Sequence, residues 1–240
     1  MKIVEVNDYQ ELSKVAAKVV IDLIKAKPNC TLGLATGSSP IGLYQNLIAA
    51  YNKKEISFKD IKTYNLDEYC NLDINHSQSY YTFMHENLFN HVDIKEENIH
   101  IPVGSGSDLN KLCDEYNELL HKASIDLQVL GIGGNGHIGF NEPGTSFDQE
   151  TFIVKLTEKT REDNKRFFNS IDEVPTSAIT MGIKNIMQAK TILLVASGKS
   201  KAEAVKALIK GGVTETFPAS VLKNHKDVIV IVDKEAASLL

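Results

Sequence analysis

Apolar residues recur along this chain in two rhythms, one helical and one strand-like, and the two alternate. Asp8, Tyr9, Gln10 and Glu11 have the form of a capping box, and Leu12, Val15, Ala16, Val19 and Leu23 follow at helical spacing. This predicts an amphipathic helix to about position 25, stopped by Pro28. The run 31–35 reads as a short buried strand and 36–40 as a turn. Pro40 is expected at the first position of a helix beginning near Ile41.

Strand, turn and helix then repeat. Strands are expected at 61–66 and 98–101, with a helix capped by Ser77 reaching about Asn90 between them. A helix over 107–122 carries Leu109, Leu112, Tyr116 and Leu119 on one face, and a strand over 127–132 delivers a glycine-rich turn. Beyond it come a strand at 151–156, a helix at 157–168, and strands at 191–196 and 227–232 around a helix at 201–210. The last strands are almost wholly apolar, as central parallel strands covered on both faces are, so the expected fold class is α/β with a doubly wound, mostly parallel sheet. No repeat or linker-like segment interrupts 1–240, which predicts a single domain.

Composition narrows the possible functions. At 240 residues and 42% hydrophobic content the chain can bury a large core, and no apolar run reaches the roughly 18 residues of a membrane span. No charged, then apolar, leader opens it, and a cytoplasmic protein is expected. Cys30, Cys70 and Cys113 are odd in number and far apart, which predicts buried free thiols and no disulfide framework. The formal charge of −5 argues against nucleic acid as partner but permits a small anion held by a local cluster of donors. The two arginines, Arg161 and Arg166, suit bidentate phosphate recognition. On a helix, a spacing of five turns them roughly 140° apart, so at most one points into a site.

In an open parallel sheet the ligand crevice lies beyond the carboxyl ends of the strands. Four polar segments stand there. Thr36, Gly37, Ser38 and Ser39 put hydroxyls and successive N–H groups at a helix start, which suits a phosphate or an ordinary N-cap equally. Asp67 and Glu68 follow an apolar strand with side chains on opposite faces, so only one can enter the crevice, where it can be tuned into a base for a carbon acid. The loop from Gly131 to Gly139 spends five glycines in nine residues and carries His137, with Glu142 just after, a pair suited to proton transfer. Ser197, Gly198, Lys199, Ser200 and Lys201 form the fourth. They are no Walker loop, because Leu193 stands where its first glycine is required, but Lys199 or Lys201 can charge a phosphate site.

The loop also satisfies G-x-G-x-x-G. A dinucleotide site is rejected, because Gly139, Pro143 and Gly144 preclude the following helix and Val154, Lys155 and Leu156 stand where a ribose acid is needed. The remaining histidines lack ligand spacing, so no metal is expected.

Taken in order, Leu32-Gly-Leu-Ala-Thr-Gly-Ser-Ser-Pro40, Asn65-Leu-Asp-Glu-Tyr69, Ser79-Tyr-Tyr-Thr-Phe-Met84 and Gly134-Asn-Gly-His-Ile-Gly-Phe-Asn-Glu-Pro143 resemble the glucosamine-6-phosphate deaminase family over nearly the whole chain. The resemblance implies a Rossmann-like fold, no organic cofactor, a sugar phosphate as ligand, and conversion of glucosamine 6-phosphate to fructose 6-phosphate and ammonium. It assigns Asp67 as the base that moves a proton from C2 to C1. His137 becomes the ring-opening group, with Asn135 and Glu142 orienting the imidazole. It matches Thr36, Gly37, Ser38, Ser39, Gly134, Gly136, Arg166 and Lys201 to positions that bind the substrate and its phosphate, favouring Arg166 over Arg161.

Two departures stand out. Many relatives carry Asp where this chain has Asn135, so the imidazole has one negative neighbour fewer and a shifted pH profile is expected. Longer relatives are activated hexamers with basic residues where this chain has Phe152 and Val154, which leads us to expect hyperbolic, unactivated kinetics and leaves the oligomeric state open. The nearest rival, 6-phosphogluconolactonase, hydrolyses an ester and has no need of a carbon-acid base. A sugar-phosphate sensor would add a helix-turn-helix, for which the first helix leaves no room. The segment 157–186, with Ser177 and Gly182, is expected to close over the sugar as a lid.

Overall fold

The computed structural model describes residues 1–165 and 168–240. In chain order the elements are β1 (Lys2–Val6), α1 (Tyr9–Ala26), β2 (Thr31–Leu34), α2 (Ile41–Asn52), β3 (Lys62–Asn65), β4 (Asp67–Tyr69), α3 (Tyr80–Asn87), β5 (Ile99–His100), α4 (Leu109–Lys122), β6 (Leu127–Leu130), β7 (Phe152–Lys155), α5 (Glu158–Lys165), β8 (Ser177–Thr180), α6 (Ile183–Ile186), β9 (Thr191–Ala196), α7 (Ala202–Lys210) and β10 (Val228–Asp233).

The main sheet has the order β1-β10-β9-β6-β2-β3-β5, every pair parallel. Winding runs outward from β2 through β3 to β5 on one side and from β6 through β9 to β10 on the other. The order therefore reverses between β2 and β6, which places the ligand crevice of such a sheet at their carboxyl ends. One face is packed by α1, α2 and α3 through Leu12, Val20, Leu43, Leu47 and Met84, and the other by α4, α6 and α7 through Tyr116, Leu120, Ile186, Val205 and Leu208. Both faces are covered, as the apolar strands predicted.

The sequence pattern missed three strands. β1 is an edge strand whose side chains are mostly exposed, so it lacks the apolar run of a central strand. β4 and β8 pair antiparallel with each other, and β8 with β7, in a separate small sheet. β4 consists of Asp67, Glu68 and Tyr69, a composition that gives no strand signal, and it forms because Leu66 continues the main sheet while β8 offers a partner. Residues Ser177 and Gly182, expected in a lid, are instead packed. Ser177–Thr180 is the middle strand of the small sheet, and a Cβ on Gly182 would lie 2.1 Å from the Gln149 carbonyl oxygen.

Helix faces and caps also moved. On α1 the buried positions are Leu12, Ser13, Ala16, Ala17, Val20 and Ile24, with Val15, Val19 and Leu23 at the flank. The rotation follows from α2, whose Gly42 sits so close that its Cβ would lie 2.2 Å from Ser13 Oγ. The Asp8 carboxylate accepts from Glu11 N at 2.9 Å, but Glu11 returns its bond to Asn7 N, one residue earlier than a capping box requires. On α4 Leu119, expected on the apolar face, is 41% exposed, while Asn117 is buried because its amide bonds both backbone groups of Thr151. Pro40 is the N-cap of α2, not its first turn. Ser79, not Ser77, caps α3, its hydroxyl accepting from Thr82 N at 3.0 Å. The three cysteines are buried, as expected. Among the described residues no helix is long and apolar enough to cross a membrane.

Candidate active site

All four suspected segments follow adjacent strands, β9, β6, β2 and β3, and so meet at one edge of the sheet. Contact between the two central ones is direct. A Cβ on Gly131, after β6, would lie 3.5 Å from Ser39 Oγ, after β2.

The loop after β2 is held from beneath. Tyr44 OH donates to the Ala35 carbonyl at 2.5 Å, and Tyr9 OH accepts from Gly42 N at 2.9 Å while donating to the Ser38 carbonyl at 2.9 Å. With those groups bound, Thr36 and Ser39 are left half-buried, Gly37 and Ser38 exposed, and the left-handed turn at Gly37, φ +88°, stands over open space where even a Cβ would meet nothing. The geometry leaves room for an anion at the start of α2.

The glycine loop after β6 is closed by Gly133 N donating to the His137 carbonyl at 2.9 Å. Gly133 is obligatory, because a Cβ there would lie 2.3 Å from the His137 ring, and Gly136, φ +86°, is backed by Phe217 at 2.3 Å. His137 Nδ1 stands 3.8 Å from Glu142 Oε2, an ion-pair separation longer than a hydrogen bond. Asn135 uses both ends of its amide. Its Oδ1 accepts from His137 N at 3.2 Å and its Nδ2 donates to Glu142 Oε2 at 2.8 Å. An ionised Asp could not make the second bond, which needs an N–H donor. Thr160 Oγ1, on α5, donates to Glu142 Oε1 at 2.6 Å. Within the loop Asn141 is structural, tying the Ile138 and Met181 carbonyls at 2.9 Å each.

Asp67 and Glu68 diverge as strand geometry demands. Glu68 is buried beneath α3 and accepts three backbone N–H groups, from Tyr69 at 2.8 Å, Tyr80 at 2.9 Å and Tyr81 at 2.9 Å. Burial raises it, and those bonds oppose the rise. Asp67, 5% exposed, turns the other way, its Oδ2 lying 3.5 Å from where a Gly139 Cβ would stand. Burial, with the Glu68 charge adding, pushes its carboxyl up to about 8. Burial likewise raises the Tyr80 phenol, reinforced by Tyr69 and Asp67 and opposed by a hydrogen bond from Thr36.

The remaining expectations divide. Lys201 ends a 3₁₀ turn at the start of α7, half-buried, while Ser197 Oγ and Gly198 N are bound by Asp233 at the end of β10, so that loop is braced by its neighbour strand. Arg161 donates to the Ile171 and Val174 carbonyls at 2.8 and 3.1 Å, a structural role. Arg166 lies outside the described residues. Gly134 sits exposed at the loop tip, with nothing within 4 Å of where a Cβ would stand. Sequence reasoning missed Tyr9, Tyr80, Thr160 and Asp233. Tyr80 and Tyr9 lie within motifs already singled out, whereas Thr160 and Asp233 lie outside every motif; Tyr9, Thr160 and Asp233 act through contacts far away in sequence.

Comparison with known proteins follows the geometry. Residues 7–231 match the family model described as glucosamine-6-phosphate isomerases/6-phosphogluconolactonase. A glucosamine-6-phosphate deaminase of Thermoanaerobacter sp. (strain X514) is 56% identical over 100% of this chain and 95% of its own length. That of Clostridium novyi (strain NT) is 54% identical over 100% of both chains. A solved structure of a monomeric glucosamine-6-phosphate deaminase superposes with a TM-score of 0.98 at 50% identity, covering 100% of each chain. A 6-phosphogluconolactonase from Trypanosoma brucei superposes at 0.80 with 19% identity, covering 100% of this chain and 98% of its own, which shows the shared fold. By family model, by identity over its full length and by fold, the chain belongs to the glucosamine-6-phosphate isomerase/6-phosphogluconolactonase family.

Proposed function

We propose that this protein is a glucosamine-6-phosphate deaminase, converting glucosamine 6-phosphate to fructose 6-phosphate and ammonium in amino-sugar catabolism. The observation that carries this reading is the buried Asp67 carboxyl, raised to about 8 and facing the loop that bears His137. A carboxylate of raised pKa in a dry pocket is a competent base for a carbon acid, which an ester hydrolase does not need.

In this reading Thr36, Gly37, Ser38, Ser39 and Lys201 hold the phosphate, with Arg166 and the exposed main chain at Gly134 completing the contacts, while Gly136, whose N–H donates to the Gly133 carbonyl and whose carbonyl accepts from Ala219 N, shapes the loop beneath them. His137, backed by Glu142 and Asn135, carries the proton between the ring oxygen and the C1 hydroxyl as the pyranose opens. Asp67 takes the proton from C2 and returns it to C1, so one carboxylate serves both atoms. The resulting imine at C2 adds water and releases ammonia, which leaves as ammonium. A single domain over 1–240, a lid within 157–186 and a cytoplasmic location belong to the same reading.

Incubation of the purified protein with glucosamine 6-phosphate in deuterated water tests it. Equimolar ammonium and fructose 6-phosphate with deuterium at C1 are expected. Absence of ketose, together with hydrolysis of 6-phosphogluconolactone, would replace it with the hydrolase.

A further inference from the structure

Glu142 is 8% exposed, and each of its oxygens has one neutral donor, Asn135 Nδ2 on Oε2 at 2.8 Å and Thr160 Oγ1 on Oε1 at 2.6 Å. Asn135 belongs to the same loop, two residues before His137. Thr160 comes from α5, beyond β7, and is itself 8% exposed.

The hydrogen bonds around Thr160 have only one consistent direction. An ionised carboxylate accepts only, so the Thr160 hydroxyl must donate to Glu142. Thr157 Oγ1 lies 2.9 Å from Thr160 Oγ1 and accepts Thr160 N at 3.2 Å, so its own proton is free to point at Thr160 Oγ1. The chain runs Thr157 to Thr160 to Glu142, leaving Glu142 Oε2 towards His137. The first turn of α5 is thereby wired to the carboxylate behind the imidazole, and withdrawal of α5 would strip Glu142 of its Thr160 donor while leaving Asn135 bound.

We infer that Thr160 is a positioning residue for the deamination, acting through Glu142 on His137, so that the imidazole is correctly backed only while α5 is seated on the site. This rests on the proposed function above, and deepens it by making the segment expected to act as a lid part of the proton-transfer apparatus.

The test compares Thr160→Val and Thr160→Ser in the whole protein, by steady-state kinetics on glucosamine 6-phosphate and by thermal melting. Valine keeps the shape and removes the donor; serine keeps the donor and removes the methyl. Loss of a donor to a buried charged acceptor predicts that Thr160→Val lowers kcat about ten- to a hundredfold with KM little changed, and lowers the melting temperature through the unsatisfied carboxylate oxygen. Thr160→Ser should recover most of kcat. Unchanged kcat in Thr160→Val, a loss that serine fails to recover, or a change confined to KM would each overturn the inference. Failure of the underlying reading looks different: the unmodified protein itself would release no ammonium.

Discussion

Asp67 and Glu68 are neighbours on one three-residue strand, both less than a tenth exposed, and the fold uses them in opposite ways. Glu68 is consumed by three N–H groups at the start of α3, whereas Asp67 faces the glycine loop with Glu68 as a destabilising charge beside it. One holds the site together and the other is held ready for chemistry.

Asp67→Asn should lower kcat about 10²- to 10⁴-fold with little change in KM, as loss of a general base does. It should also stabilise the protein. Asp67 rises from 3.8 to about 8, so between those values the unfolded chain has released a proton that the folded protein retains, and stability falls as pH rises through that window. The neutral isostere escapes this penalty, and denaturant melts at pH 8 should place it about 0.5–2 kcal/mol above the unmodified protein. The gap should vanish below pH 4. Equal stability at pH 8 would contradict the raised carboxyl.

Glu68→Gln should act in reverse. An amide nitrogen facing Tyr80 N or Tyr81 N cannot accept, so at least one buried N–H loses its partner at a cost of about 1–3 kcal/mol. A lowered melting temperature with a smaller fall in kcat than Asp67→Asn separates the two carboxylates.

Gly133→Ala leaves the imidazole no room, since the new methyl would sit 2.3 Å from the ring. His137 must swing aside, and misplacement by about 1 Å predicts a roughly 10²-fold loss in kcat. Because the site is a loop with 27% of the His137 side chain exposed, the melting temperature should hardly move. Wild-type kcat in this variant would remove His137 from the mechanism.

Phe152 and Val154, which stand where activated relatives carry basic residues, pack into the apolar cluster of Tyr69, Phe140, Leu156 and Ala178. Their side chains offer no donor to a phosphate. Initial rates should be hyperbolic in glucosamine 6-phosphate and unaffected by N-acetylglucosamine 6-phosphate. A sigmoidal curve that the acetylated sugar renders hyperbolic would overturn this.

The linear pattern was sufficient for the alternation of apolar strands with amphipathic helices, the winding class, and the polar segments that close each strand, because these depend on periodicity and on what may follow a strand. The motifs around Asp67, His137 and Glu142 were legible for the same reason: glycines and titratable groups adjacent in sequence stay adjacent in space. Only the tertiary structure made β4 a strand, by supplying β8 as its partner, and in doing so sent Asp67 inward and Glu68 under α3. Rotated faces on α1 and α4 had the same origin, since Gly42 and Thr151, distant along the chain, decide which side chains are buried. Thr160 is the clearest case. It lies 18 residues from Glu142, and nothing in local spacing tells a helix-capping hydroxyl from one aimed at a buried carboxylate, because the difference is made by the packing of α5 against the loop after β6.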